Sequence, residues 1–273
     1  MNFCGSKQYP IRDPFLHMSK RSLNEYSNAW NGPGYTCYPF CTNNIKDFYN
    51  LLGVYMDISF NPLMSYYDFL NEGWRLEFSS PEERKDLSFK GVCYDQMKVY
   101  LQMPDSIFLE NIKKNLFKNN EYEFINGGSP EEIVKLSYIE LMDYQQKFYH
   151  PSNCRLFSYG DMDFTKHLEF IDSYFTNKYK EKIKSGNFQS YKYKKTEKLQ
   201  VAQNVVVSCP PNQELEKDQQ SQFGLTFLCG DISEDPFLAI SFNVLAYILF
   251  ETPYSSFFQS LLASGNSKIF LYF

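Results

Sequence analysis

Tyr35-Thr36-Cys37-Tyr38-Pro39-Phe40-Cys41-Thr42-Asn43-Asn44-Ile45-Lys46-Asp47-Phe48-Tyr49-Asn50-Leu51-Leu52 is the stretch that sets the fold class. Its first part resumes after a Gly32-Pro33-Gly34 turn that is itself preceded by mixed polar and apolar residues at 22–30, the order of a strand, a turn and a second strand. Asn44 then offers a side chain able to cap a helix. Beyond it Ile45, Phe48, Tyr49, Leu52 and Met56 recur at steps of three and four, so they share one helical face, predicted to be core, until Pro62 closes the region. A strand pair giving way to a helix with one apolar face argues for a sheet covered by helices, an α+β fold.

Further along, Val92, Gln96, Val99 or Tyr100, and Met103 recur at helical spacing before Pro104, which predicts a helix with Gln96 on its inward face. Asp105 opens a helix with Phe108, Ile112 and Leu116 on one side. Two capping boxes follow, Ser129-Pro130-Glu131-Glu132 and Ser137 with Glu140, and each opens a helix. The second runs to about Tyr149, because His150 precedes Pro151 and a residue before proline is pushed out of the helical region. Residues 154–159 read as a strand ending at Gly160-Asp161, and residues 164–180 as a helix.

Residues 178–198 hold eight Lys and two Glu with Tyr179, Tyr191 and Tyr193 between them, a composition that suits a solvated linker or an edge hairpin better than a nucleic-acid contact. Beyond them 201–209 and 223–229 look like strands and 236–250 like a buried helix. The chain therefore divides into a first domain at 1–180, a linker or hairpin at 181–200 and a partial second domain at 201–273. The apolar run Ile269-Phe270-Leu271-Tyr272-Phe273 has nothing after it to pair with, which predicts poor solubility or dependence on a partner.

Composition narrows the function classes. In 273 residues, 27 Lys and Arg face 32 Asp and Glu, a net charge of −5 that argues against general nucleic-acid binding. Hydrophobic residues make up 43% and aromatics 18%, too apolar for a disordered chain. The longest apolar stretch, 237–250, is broken by Ser241 and Asn243 and falls short of the roughly 20 residues a membrane span needs, so no membrane span is expected. Seven Cys are scattered without a Cys-x-x-Cys pair, which fits reduced thiols. Cys37 and Cys41 have the spacing to begin a zinc site, but no second Cys or His pair follows. The opening Met-Asn-Phe-Cys-Gly-Ser shows no targeting signal.

A wider pattern is carried by Cys4-Gly5-Ser6, Tyr9-Pro10, Pro14-Phe15, Ser22-Leu23-Asn24, Asn28-Ala29 and Thr36-Cys37-Tyr38-Pro39. It continues in Lys46-Asp47-Phe48-Tyr49-Asn50-Leu51, Glu72-Gly73-Trp74, Lys90-Gly91-Val92, Gly127-Gly128 with Pro130, and Tyr149-His150-Pro151-Ser152-Asn153. In order and spacing across residues 4–161 this resembles the pitrilysin metallopeptidases, in their presequence-protease or falcilysin-like branch. The resemblance implies two-layer domains, each a mostly antiparallel sheet with helices on one face, one nearly complete here and one partial. It implies a zinc peptidase that degrades unfolded peptides such as mitochondrial presequences, and so a mitochondrial setting, with the cytoplasm as the alternative.

In that family zinc is held by an inverted His-x-x-Glu-His helix and a more distant Glu. The resemblance places the inverted motif directly ahead of the stretch matched by Cys4-Gly5-Ser6, and therefore ahead of Met1. It aligns the distant Glu with Gln96, inside Gly91-Val92-Cys93-Tyr94-Asp95-Gln96-Met97-Lys98. An amide lacks the charge that makes a carboxylate a good zinc ligand. Asp95 stands about 100° away around the helix and does not replace it. His17 has no second His within a turn, His150 is the structural pre-proline residue, and His167 falls on a helix expected at the surface. No catalytic residue, no metal ligand and no bound zinc are therefore expected in this chain. Asn28 and Ala29 match the edge strand where the family holds extended substrate, which makes them the candidate peptide-binding residues. The main expectation is an inactive or partial relative of the zinc endopeptidases. An active enzyme completed by an upstream His-x-x-Glu-His segment and a non-catalytic peptide-binding or scaffold subunit are the alternatives. Unfolded peptides and a complementing peptidase half are the expected partners.

Overall fold

The computed structural model describes residues 4–80, 84, 86–185, 194–197, 199–211, 216, 220–228, 231–232 and 235–264. Two compact units emerge, Met1–Gly224 and Leu225–Phe273, so the first unit runs on past the 181–200 segment.

The first unit opens with a short helix, α1 (Pro14–Ser19), and a long hairpin. Its strands β1 (Asn24–Ser27), β2 (Trp30–Gly32), β3 (Tyr35–Cys37) and β4 (Phe40–Thr42) nest as two antiparallel pairs. β2 pairs with β3 across the turn, with Gly32 opposite Tyr35, and β1 pairs with β4, with Ser27 opposite Phe40. Gly34 turns the chain at φ 73°, a left-handed conformation that glycine adopts without strain. The predicted strand, turn and strand are thus present, but split in two where both arms kink at residues 28–29 and 38–39.

α2 (Ile45–Phe60) follows, capped as predicted by Asn44, whose Oδ1 accepts the Asp47 N–H at 3.0 Å. Leu52, Met56 and Phe60 form a core with Tyr174, and Phe40, Phe48, Tyr49, Phe170, Ile171 and Phe175 pack around it. The predicted face is therefore core from Phe48 onward, whereas Ile45 is exposed. Tyr55 sits beneath the hairpin kink and its hydroxyl donates to the Asn28 and Pro39 carbonyls at 3.4 and 3.3 Å. Burial pushes that hydroxyl up to about 12.

One buried charge stands inside this apolar helix. Asp57 is fully buried and accepts hydrogen bonds from the Gln8 N–H at 2.7 Å, Asn61 Nδ2 at 2.8 Å and Tyr174 Oη at 2.9 Å. These bonds fasten the N-terminal segment and α8 (Phe164–Ser185) to α2.

The remainder of the unit comprises α3 (Tyr66–Glu72), an antiparallel pair β5 (Arg75–Phe78) and β6 (Leu87–Lys90), α4 (Val92–Tyr100) and α5 (Pro104–Leu116). α6 (Pro130–Ile133) and α7 (Tyr138–Phe148) complete it before α8. Ser137 and Glu140 form the predicted capping box, while Ser129 supplies only its own half to a one-turn helix. Antiparallel pairs with packed helices make the fold α+β, as expected.

Three predicted strands do not form ladders. Residues 154–159, 201–209 and 223–228 form no strand among the described residues, and Phe157, Tyr159, Val206 and Phe223 are largely exposed. Alternating apolar residues make a segment fit for a strand, but the ladder needs a neighbour that local sequence does not specify. α8 reaches Ser185, so the start of the Lys-rich segment is helical; residues 186–193 and 198 lie outside the described residues, as does the run 269–273.

In the second unit α9 (Pro236–Ala246) is capped by Asp235, which accepts the Leu238 N–H at 3.0 Å, and it passes through a π-turn at Tyr247–Glu251 to α10 (Ser256–Ala263). The predicted burial of α9 is not observed: Phe237, Ile240 and Val244 are exposed. A helix apolar on every side needs cover on every side, and within this unit the described residues supply little. By length and composition alone Pro236–Ser260 is long and apolar enough to cross a membrane, although residues 252–255 break its helical course.

Candidate functional site

α4 carries the candidate site. It starts at Gly91, where the backbone passes so close to Gly73 that a Cβ would stand 2.1 Å from the Gly73 carbonyl oxygen. The Gly91 N–H donates to Asp95 Oδ2 at 3.3 Å. Asp95 is therefore turned back to its own helix start.

Gln96 lies on the exposed face of α4 together with Val92 and Val99, which corrects the predicted inward placement. The covered face carries Tyr94, Met97 and Tyr100 instead. Tyr94 packs on Phe89, whose other neighbour is Trp74, with ring centroids 5.9 and 5.8 Å apart. Met97 lies against Gly127, where a Cβ would come within 2.3 Å of its sulfur. Tyr100 Oη donates to Glu110 Oε1 at 2.9 Å. Two faces of this helix carry apolar residues at helical spacing, and the one with larger side chains takes the cover, since buried area scales with side-chain size. The Gln96 amide has no hydrogen-bond partner among the described residues.

The histidines do not supply a metal site. His17 is exposed on α1. His150 is 1% exposed and its Nδ1 accepts the Ser152 N–H at 3.2 Å, capping the 3₁₀ turn Pro151–Asn153. His167, expected at the surface, is instead 4% exposed, with Nε2 2.9 Å from Ser158 Oγ and its ring between Phe48 and Tyr49. The first half of α2 reaches over that turn of α8 and covers it. Among the described residues no three of His, Cys, Asp and Glu gather as a cation would need, Cys37 and Cys41 included. With an amide at position 96, the residues present do not fit a catalytic zinc ion.

Asn28 and Ala29 lie outside any strand, in the link between β1 and β2. Their backbone is largely occupied. The Asn28 N–H donates to the Pro39 carbonyl at 3.0 Å, the Asn28 carbonyl accepts from Tyr55, and the Ala29 N–H donates to Asn28 Oδ1 at 2.8 Å. The Asp57 network was not anticipated. Its one sequence signal is a carboxylate set between Met56 and Ile58 with Asn61 four residues on.

A family described as "Peptidase M16 inactive domain" matches residues 135–268. Presequence protease, mitochondrial, of Drosophila melanogaster is 36% identical over 98% of this chain, which covers 26% of that relative. The proteins of the same name from Mus musculus and Saccharomyces cerevisiae are 35% and 34% identical over 96% of the chain, which covers 25% and 26% of them. The chain thus spans about a quarter of the length of these curated relatives. Nearly all of it aligns with mitochondrial presequence proteases, and it is a relative of these M16-type peptidases.

Proposed function

We propose that this chain is an inactive member of the zinc-peptidase family that holds unfolded peptides, of the presequence kind its relatives are named for, without cleaving them. By the same likeness its compartment is the mitochondrion. The observation that carries the reading is Gln96: at the family's distant ligand position stands a neutral amide on an exposed helix face, and the adjacent carboxylate of Asp95 is engaged by the Gly91 N–H. A catalytic zinc needs three protein ligands and a base within reach of its water.

Metal analysis of the purified 273-residue protein, with a chelator-sensitive peptide cleavage assay, tests this. The expected result is substoichiometric zinc and no chelator-sensitive cleavage, for the protein and for Gln96→Glu alike, since one carboxylate does not build a site. Stoichiometric zinc with chelator-reversible cleavage overturns it. The exposed apolar residues of α9 favour a second reading, a scaffold subunit for a complementing peptidase chain. Light scattering that finds a monodisperse monomer of the protein would count against that one.

A further inference from the structure

The chain contains two Asn-Gly pairs, Asn31-Gly32 and Asn126-Gly127, and the fold treats them differently. Asn31 and Gly32 belong to β2, where Gly32 is paired with Tyr35 across the ladder. The Asn31 Oδ1 also accepts the Thr36 hydroxyl at 2.9 Å. Asn126 and Gly127 are instead the two middle residues of an exposed turn, closed by the Gly128 N–H donating to the Ile125 carbonyl at 2.9 Å. Among the described residues neither the Asn126 side-chain amide nor the Gly127 N–H makes a hydrogen bond. Gly127 has no side chain to shield its nitrogen, and Gly128, at φ 81°, takes a left-handed conformation without strain.

We infer that Asn126 is a site of spontaneous covalent modification, which converts the turn to an aspartyl or isoaspartyl linkage and, in the isoaspartyl form, loosens α4. The Gly127 nitrogen attacks the Asn126 side-chain carbonyl carbon. A bond from that nitrogen to Cγ forms, the bond from Cγ to Nδ2 breaks, and the nitrogen's proton leaves with the amide as ammonia. Water, the only other reactant, then opens the cyclic imide. Opening at the side-chain carbonyl gives the aspartyl link, and opening at the main-chain carbonyl gives the isoaspartyl one. The reaction uses two adjacent residues, so it does not depend on what covers the rest of the chain. The isoaspartyl link routes the backbone through the former side chain and adds one carbon to the main chain. Met97 of α4 packs so closely on Gly127 that even a Cβ there would overlap its sulfur. A lengthened backbone therefore has no free space on that side and displaces Met97.

The test ages the purified 273-residue protein in mildly alkaline buffer and reads the amide-to-acid mass change by peptide mapping, with enzymatic methylation to mark isoaspartyl carboxyls. Asn126 should convert, and Asn31 should be about five- to a hundredfold slower, because two hydrogen bonds must break there first. In denaturant the two rates should approach each other. No conversion at Asn126, or conversion at Asn31 just as fast in the folded protein, overturns the site. A gap that persists unchanged in denaturant belongs to flanking residues such as Pro33 and overturns the role of the fold. Isoaspartyl protein, separated by charge, should melt about 2–4 °C below the amide form, the cost of one carbon forced against packed atoms in a unit of this size. Asn126→Asp adds the charge without lengthening the backbone and should melt unchanged. Equal melting of the isoaspartyl and amide forms, or an equal drop for Asn126→Asp, overturns the effect on α4.

Discussion

α2 and α4 each follow a strand and each carry apolar residues at helical spacing, yet α2 buries most of its second half and α4 buries no residue completely. The difference lies in their neighbours. α2 is enclosed by the hairpin on one side and α8 on the other, so residues from Leu51 to Phe60 lose solvent almost all round. α4 is covered by β6, α3 and α6 along a single side. Periodicity proposes a face, but the side chains on each face and the elements nearby decide which one is covered. The inward placement of Gln96, read from spacing alone, therefore came out on the wrong side.

The contrast can be broken most forcefully at α2. Asp57→Ala leaves several buried donors without an acceptor and should cost about 3–5 kcal/mol, read as a shift of the chemical-denaturation midpoint. A loss below about 1 kcal/mol would mean that the network does not tie the N-terminal segment and α8 to the core. Met56→Ala, which opens a cavity in the same core, should cost about 2–4 kcal/mol.

Acid provides a gentler probe of the same point. Burial opposes ionisation of Asp57, but hydrogen bonds from Ser6, the Gln8 N–H, Asn61 and Tyr174 outweigh it and hold the carboxyl below the usual range. A carboxyl depressed in the folded state contributes fully above its unfolded value of about 4, and that contribution is lost as pH falls through the folded value. Stability measured against pH should therefore drop on acidification below about pH 4, and Asp57→Asn should flatten that part of the curve. An unchanged slope in the variant would assign the acid sensitivity to other groups.

The hairpin kink beside α2 is expected to matter less. Tyr55→Phe removes one buried hydroxyl shared by two carbonyls and should cost about 1 kcal/mol, seen as a small fall in melting temperature. At α4 the effects should be smallest. Val99→Ala and Gln96→Glu both alter the exposed face and should each change unfolding free energy by no more than about 0.5 kcal/mol. A loss of about 2 kcal/mol for Val99→Ala in the purified chain would show that this face is covered in solution.

Much of the local structure was legible in the residues because it depends on neighbours in sequence. Asn44, Ser137 with Glu140, and Pro151 after His150 mark their helix ends through bonds spanning three or four residues, and the Gly32-Pro33-Gly34 turn dictates its own hairpin. The burial of His167, the four-armed network on Asp57, the outward Gln96 and the absence of a strand at residues 154–159 were not legible. Each depends on groups distant in the chain, such as Tyr174, which stands 117 residues from Asp57.

By itself, then, the sequence determined an α+β chain, most of its helix boundaries in the first unit, a likeness to the presequence proteases, and an amide at position 96. These rest on covalent identity and on forces that act within a turn of backbone. The tertiary structure alone decided which face of α4 is covered, which strand-like segments form ladders, and which polar groups are buried. Burial and strand pairing are properties of what surrounds a residue, and a period of 3.6 or 2 names a candidate face without naming the surface that will cover it.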